Sequence, residues 1–148
     1  MIRRAEGRDA AALARLIDQL GYAATPDEVA GRLADMEAEG RIVLVAEQDG
    51  RVIGCLSTSI MRVLHRPAPV GRISMLVVDE AHRGRGIGTQ LVRVAEEALA
   101  AQRCYMVEVT SRFSRTAAHC FYERLGYEQT SVRLAKTLDE GRDPGVAA

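Results

Sequence analysis

This sequence of 148 residues has no excess of either charge, no long apolar run and no set of cysteines spaced for a metal or a disulfide framework. Its 20 Lys and Arg residues balance its 20 Asp and Glu residues, which removes the electrostatic case for nucleic acid or an anionic membrane as a partner. No apolar run approaches the ~20 residues of a membrane span, and the basic first residues lack the apolar stretch of a signal peptide. Because Cys55, Cys104 and Cys120 are odd in number and lack metal-like spacing, we expect buried, reduced thiols in a cytoplasmic protein without a metal.

Length and composition indicate one globular domain. A chain of this size can bury a proper core, and its 47% hydrophobic and 27% charged residues are typical of soluble proteins. We expect a single domain over residues 1–137. Because glycine and proline are frequent after residue 138, we expect residues 138–148 to form a flexible tail.

Apolar spacing and turn residues predict two helices followed by alternating strands and helices. The predicted helices cover about 12–20, 25–39, 86–102 and 115–125, and the predicted strands cover 42–47, 52–61, 72–78, 104–110 and 127–137. Thr25 and Glu28 form a capping pattern at the start of the second helix, and Asp49-Gly50 is a hairpin turn. This order predicts an α/β fold with a mixed sheet between helices.

The most informative stretch is RGRGIGT at 83–89, which lies between a predicted strand and a predicted helix. Glycines let the backbone approach a ligand closely, and the first N–H groups of a helix have no partner inside it and can bind phosphate oxygens. Guanidinium groups also suit phosphate. The stretch therefore predicts a pyrophosphate-binding loop formed by Arg83, Gly84, Arg85, Gly86, Ile87, Gly88 and Thr89.

The glycine spacing excludes two common phosphate-binding loops. A P-loop ends in Gly-Lys-Ser/Thr, whereas Gly88 is followed directly by Thr89. The dinucleotide fingerprint has two residues between its last two glycines, whereas Gly84, Gly86 and Gly88 alternate. The pattern that remains is Arg-x-x-Gly-x-Gly, which begins at Arg83.

This pattern resembles the coenzyme A loop of the GNAT (GCN5-related) N-acetyltransferases. The preceding LVVD at 76–79 is similar to the strand end that leads into that loop, and FYERLGY at 121–127 is similar to the family's closing helix. The resemblance covers nearly the whole chain. It implies a mixed, mostly antiparallel sheet with two splayed parallel central strands, here the strand that ends at Val78 and the strand at 104–110.

The resemblance also implies acetyl-CoA as cosubstrate. Its pantetheine arm lies between the splayed strands of the family like an added strand, and an exposed strand edge can bond such an amide-bearing ligand. The backbone groups expected to bind it belong to Leu76, Val77 and Val78.

Tyr122 and Glu108 are the candidate catalytic residues. A phenol with a pKa of about 10 is protonated at neutral pH and can donate to a leaving thiolate; Tyr122 matches the family's general-acid tyrosine, and the alternative is a tyrosine packed in the core. Alternation places Glu108 on one strand face with Met106 and Thr110. A carboxylate in an apolar strand is costly unless paired, so Glu108 is either the general base, directly or through water, or the partner of an arginine. His82, beside the loop, is a weaker candidate base or an exposed turn residue.

The chain departs from the family pattern seven residues before Tyr122, where the family often has Asn and this sequence has Arg115. Arginine donates hydrogen bonds but cannot accept them, so either Arg115 or Ser114 contacts the coenzyme's phosphates or Arg115 is solvated. Arg62, Arg66 and Arg112 are further basic residues that favour an acidic acceptor.

The function predicted from these residues is N-acetyl transfer from acetyl-CoA to a primary amine of a small molecule or peptide. Direct attack in a ternary complex is expected because no activated cysteine is evident, and Cys120 is expected to be buried in its helix and inert. Two alternatives stay open, a non-catalytic acetyl-CoA sensor and an acetyltransferase for protein N-termini or lysines. The resemblance further implies a homodimer.

Overall fold

The computed structural model describes residues 1–110 and 116–139. In order along the chain, the elements are β1 (Ile2–Arg4), α1 (Ala10–Leu20), α2 (Pro26–Ala38), β2 (Val43–Gln48), β3 (Arg51–Met61), β4 (Val70–Val78), α3 (Ile87–Ala101), β5 (Met106–Val109) and α4 (Thr116–Arg124). Single 3-10 turns precede α1 and follow β4. The predicted mixed sheet with flanking helices is confirmed.

The five strands form one sheet in the order β1-β2-β3-β4-β5. The first three pairings are antiparallel and the last, between β4 and β5, is parallel, because α3 carries the chain back across the sheet. Two apolar clusters fill the faces. Helices α1 and α2 cover one face with residues such as Leu16 and Leu33, and α3 and α4 cover the other with residues such as Leu91 and Tyr122.

Two glycines let α3 lie close to the sheet. A methyl group built on Gly71 of β4 would stand 2.8 Å from Cδ1 of Leu99, and one built on Gly54 of β3 would stand 3.2 Å from Cδ1 of Leu91. Such contacts are too short for a real side chain without movement of the leucines. The close approach fixes the start of α3 relative to the end of β4.

Strand β1 was not among the predicted elements. It pairs with β2 from Ile2 opposite Ala46 to Arg4 opposite Leu44. Arg3 donates to both carboxylate oxygens of Asp9 at 2.9 Å and, through Nε, to Glu47 at 3.1 Å. The two carboxylates neutralise the arginine at the sheet edge, and no local pattern indicates Glu47, which is 44 positions away in the sequence.

The predicted strand over 127–137 is wrong, since the residues there form no regular structure. Its apolar residues Val132 and Leu134 are exposed. A strand is held by hydrogen bonds to a neighbour, and within the described part of the chain β5 pairs only with β4. Of the predicted tail, residues 140–148 lie outside the described ranges.

The expectation of buried thiols holds for Cys55 but not for Cys104, which is partly exposed, or for Cys120, which is exposed. Burial raises the pKa of the Cys55 thiol to about 12. Cys120 lies two residues before Tyr122, roughly 200° around the helix, so burying Tyr122 turns Cys120 outwards. In the described ranges, none of the helices is long and apolar enough to cross a membrane.

Candidate active site

The glycine run forms a loop that ends in a helix start open to anions. Gly84 and Gly86 have φ angles of +80° and +81°, in the left-handed region that favours glycine. No side chain caps α3, and the Gln90 N–H donates to the Gly86 carbonyl at 3.1 Å. The N–H groups of residues 87–89 therefore have no partner inside the helix, at the positive end of its dipole. This geometry suits a phosphate group.

The loop starts at a buried carboxylate, Asp79, that is tied to α1. It accepts hydrogen bonds from Gln19 at 2.7 Å and Arg15 at 3.2 Å, and its other oxygen pairs with Nδ1 of His82 at 2.8 Å. The bonds from Gln19 and His82 are the main causes that lower the pKa of Asp79 to about 2. Gln19 also accepts from the Glu80 N–H at 3.0 Å. Helix α1 therefore fixes the first turn of the loop, and His82 serves that anchor rather than being an unbound turn residue.

The two arginines of the loop are exposed. Nε of Arg83 donates to the Val78 carbonyl at 3.0 Å, which folds this side chain back over the end of β4. Arg85 lies between the two left-handed glycines. Both residues lie within four positions of Ile87, where α3 begins.

Strands β4 and β5 separate halfway along β4. Their pairing runs only from Val70 opposite Met106 to Ile73 opposite Val109, whereas β4 continues to Val78. In the described part of the chain, residues 74–78 have no partner on the β5 side. We call this opening the β4–β5 cleft, with its mouth at the glycine loop and its inner end at Ile73.

A bulge accompanies the parting. The pairing of β3 with β4 passes from Ser57 opposite Met75 to Thr58 opposite Ile73, which leaves Ser74 as the extra residue. A bulge bends its strand and increases its twist. The free stretch of five residues is about 17 Å long and contains the expected coenzyme-binding backbone of 76–78.

Tyr122 lies in the apolar cluster on the α3 and α4 side of the sheet, together with Ile73 at the inner end of the cleft. Its side chain is 9% exposed, and its ring packs edge-on against Phe121 and Tyr127, with centroids 5.0 and 5.5 Å away. A methyl group built on Gly88 would stand 3.4 Å from Cζ of Phe121 and 3.8 Å from Cγ2 of Val78, so α4 packs on the first turn of α3 beside the end of β4. Burial raises the pKa of Tyr122 to about 12, which keeps the phenol protonated at neutral pH.

Glu108 lies at the inner end of the cleft, in an ion pair with Arg72. Its Oε1 accepts from Nε and Nη2 of Arg72 at 3.0 and 2.7 Å, and both side chains are 34% exposed. Val107 and Val109 pack into the cluster under α3 and α4, so by alternation Glu108 faces the side of α1 and α2. Tyr122 and Glu108 thus approach the cleft from opposite faces of the sheet.

Sequence reasoning did not single out Arg72. Strand alternation indicates which face each residue occupies, but the register that sets Arg72 opposite Glu108 depends on how two distant segments meet. The signal available was an arginine and a glutamate, each inside a predicted strand of the splayed pair.

The other predicted arginines contribute differently. Arg66 donates to the Tyr105 hydroxyl and lies 3.6 Å from the Met106 sulfur. Arg62 lines a surface depression of about 470 Å³ with Arg41 and Gln102, at the opposite end of β3 from the glycine loop and open to solvent. Arg112, Ser114 and Arg115 lie outside the described residues, and the part that is described contains no group of three or more His, Cys, Asp or Glu residues able to hold a metal ion.

Known proteins match both the sequence and this geometry. Residues 11–127 match the model of the acetyltransferase (GNAT) family. The chain is 35% identical to an aminoalkylphosphonate N-acetyltransferase of Salmonella typhimurium, over 83% of this chain and 78% of that protein. It is 33% identical to a probable glucosamine 6-phosphate N-acetyltransferase 2 of Oryza sativa, over 90% of this chain and 85% of that protein.

A solved structure agrees with these relatives. A suspected acetyltransferase from Agrobacterium tumefaciens is 30% identical and superposes with a TM-score of 0.84 over 93% of this chain and 99% of its own. The resemblance carried by the glycine loop and by residues 121–127 is thereby confirmed. The chain belongs to the GNAT family, which uses acetyl-CoA, and it is an acetyltransferase.

Proposed function

We propose that this protein transfers the acetyl group of acetyl-CoA to the primary amine of a small molecule, by direct attack in a ternary complex. The observation that carries the proposal is the β4–β5 cleft, which opens at its mouth on the unpaired N–H groups of residues 87–89 and ends beside Glu108. The Salmonella and rice relatives support a small-molecule acceptor, since both are named for small amines.

The coenzyme would be held along the length of the cleft. Its pyrophosphate would accept hydrogen bonds from the backbone of residues 84–89, with Arg83 and Arg85 adding charge. Its pantetheine amides would bond the free backbone edge of residues 76–78 as a further strand would. A backbone N–H near Val78 would polarise the thioester carbonyl.

Two side chains would move the protons. Glu108 takes one proton from the acceptor's ammonium group, directly or through water, and the freed amine attacks the thioester carbon. The new C–N bond forms as the C–S bond breaks, and Tyr122 donates its phenolic proton to the leaving thiolate. The second proton on the acetylated nitrogen and the proton held by Glu108 are released to solvent, and the phenolate of Tyr122 regains a proton from solvent, so each turnover releases one proton.

The test is release of free thiol from acetyl-CoA in the presence of a panel of small primary amines and of peptides with free N-termini or lysines. Thiol release with small amines, at rates proportional to enzyme, is the expected result. Release with peptides alone would replace the proposal with a protein acetyltransferase. Acetyl-CoA binding seen by calorimetry without any thiol release would replace it with a sensor.

A further inference from the structure

We infer that Arg72 and Glu108 together form the acceptor subsite, and that they select a short zwitterion carrying both a primary amine and an oxyanion such as phosphonate or carboxylate. The ammonium group would bind Glu108, and the oxyanion would bind Arg72. This inference rests on the proposed function and adds the class of acceptor and the residue that recognises its acid.

The position of the ion pair is the first argument. Arg72 and Glu108 are directly opposite each other in the β4–β5 register, one residue before the pairing ends at Ile73. The reacting end of a ligand that enters the cleft at the glycine loop must therefore stop next to them. Because Ile73 packs under α3 and α4, Arg72 faces the other side of the sheet, which leaves that side for the acceptor.

The second argument is the hydrogen-bonding capacity that the pair leaves unused. Both hydrogen bonds from Arg72 end on the same oxygen, Oε1 of Glu108. Within the described residues, no hydrogen bond is found for Nη1 of Arg72 or for Oε2 of Glu108. Among the described residues, the pair therefore presents one charged donor and one charged acceptor side by side. A zwitterion satisfies both without breaking the pair, whereas a simple amine leaves the guanidinium without an anion.

The surroundings are the third argument. The hydroxyls of Ser57 and Ser74 lie 2.7 Å apart, and Ser59 is opposite Arg72. Ser57 is opposite Met75, whose side chain packs with the cluster under α1 and α2, so these hydroxyls share the face of the ion pair. Polar groups in the middle of a sheet cost free energy unless they are bonded, and hydroxyl donors here fit the further oxygens of a phosphonate or carboxylate.

The experiment compares three acceptors with the wild-type protein and with variants of Arg72. The acceptors are 2-aminoethylphosphonate, 3-aminopropanoate and propylamine, and the measured quantity is kcat/KM for thiol release at saturating acetyl-CoA. We expect the wild type to favour both acids over propylamine. Arg72→Gln should lower kcat/KM for the acids about tenfold to a hundredfold, mostly through KM, and should change propylamine far less. The ratio between the two acids tells which oxyanion the subsite prefers.

Two further variants complete the design. Arg72→Lys keeps a charge but loses the planar fork, so it should restore part of the preference for acids. Arg32→Gln removes the same charge from an exposed ion pair with Glu28 on α2 and should leave all three acceptors unchanged. If Arg72→Gln fails to fold, as judged by circular dichroism and acetyl-CoA binding, Arg72→Lys decides alone by whether the acids lose more than propylamine does.

The outcomes separate the two levels of the proposal. A wild-type protein that acetylates none of these three amines overturns the inference, and one that acetylates no amine of the wider panel either contradicts the proposed function as well. Acetylation of all three amines without preference, or an equal loss for acids and propylamine in Arg72→Gln, overturns the inference and leaves the proposed function standing.

Discussion

Two carboxylates at opposite ends of the β4–β5 cleft differ in how completely they are bonded. Asp79, at the mouth, is buried and has three side-chain partners on α1 and the loop. Glu108, at the inner end, is one-third exposed, and within the described residues it is bonded by Arg72 through one of its two oxygens. The difference separates a carboxylate that holds the loop in place from one that can receive a ligand.

Each arrangement suits its location. At the mouth, a glycine-rich loop, which has many accessible conformations when unfolded, must be held in one conformation that fits a pyrophosphate. Several hydrogen bonds to Asp79 anchor its first turn. The inner end must exchange partners during each turnover, which requires atoms that are not already bonded. If Asp79 were bonded as Glu108 is, the loop would lose its anchor, and if Glu108 were bonded as Asp79 is, it would have no atom left to bind the acceptor.

The largest expected effect concerns Tyr122, in the apolar cluster beside the inner end of the cleft. Tyr122→Phe removes the proposed proton donor, so kcat should fall about 10²- to 10⁴-fold while acetyl-CoA binding by calorimetry stays close to wild type. Because the pKa of Tyr122 is raised to about 12, the wild-type rate should show no alkaline decline from this phenol below about pH 10.

Tyr127→Phe is the matched control for that variant. Tyr127 belongs to the same aromatic group, and its hydroxyl donates to Glu96 at 2.7 Å. Its loss should lower the free energy of unfolding by about 1 kcal/mol and leave kcat unchanged. A fall in kcat of the same size in both variants would show that the aromatic packing matters and the hydroxyl of Tyr122 does not.

Glu108→Gln tests the proposed base at the inner end of the cleft. The carboxamide keeps an acceptor for Arg72 but cannot take a proton, so kcat/KM at neutral pH should fall about 10²-fold or more. The melting temperature should change little, because an ion pair this exposed contributes little to stability. If the variant retains full activity, Glu108 does not take the proton.

At the mouth of the cleft, substitution of Asp79 should affect stability and coenzyme binding more than kcat. Asp79→Asn leaves Arg15 and His82 without their anion, so the melting temperature should fall, and KM for acetyl-CoA should rise more than kcat falls. The folded state lowers the pKa of Asp79 to about 2, below its unfolded value of about 3.9. The stability it provides is therefore full above about pH 4 and is lost as the pH falls towards 2.

Thermal unfolding of the two proteins between pH 2 and pH 7 measures that prediction. The gap in melting temperature between wild type and Asp79→Asn should be widest above pH 4 and should close as the pH falls towards 2. A gap that stays constant over the whole range would mean that the charge of Asp79 does not anchor the loop.

The smallest expected effect concerns the backbone of the loop. Gly86→Ala places a side chain at a φ of +81° with open space around it, and Gly50→Ala does the same at +76° in the β2–β3 hairpin. Each should cost about 1 kcal/mol of stability. Gly86→Ala should also weaken acetyl-CoA binding, because strain at residue 86 displaces the neighbouring N–H groups of residues 87–89. Gly50→Ala, which is far from the loop, should leave acetyl-CoA binding unchanged. Equal binding by both variants would place the pyrophosphate elsewhere.

The parts of the site that depend on neighbouring residues could be predicted from the sequence. The glycine loop and α3 follow from the spacing of Gly84, Gly86 and Gly88, and a helix start needs no distant partner to present its N–H groups. The faces of β5 follow from strand alternation. These local features were sufficient to indicate the family.

The parts of the structure that depend on contacts between distant segments could not be predicted from the sequence. Strand β1 is held by its pairing with β2 and by the ion pair of Arg3 with Glu47, and the pairing of Arg72 with Glu108 is set by the parallel register. The apolar pattern of residues 127–137 is typical of a strand, yet a strand forms only beside a neighbour. In each case the missing information was which segments meet across the sheet.

The most direct test of the central claim is a crystal structure of the protein with coenzyme A. The account predicts the pyrophosphate within hydrogen-bonding distance of the N–H groups of residues 87–89, the pantetheine amides paired with the backbone of 76–78, and the sulfur within reach of the Tyr122 hydroxyl. A coenzyme bound outside the β4–β5 cleft, or a Tyr122 hydroxyl directed away from the sulfur, would contradict it.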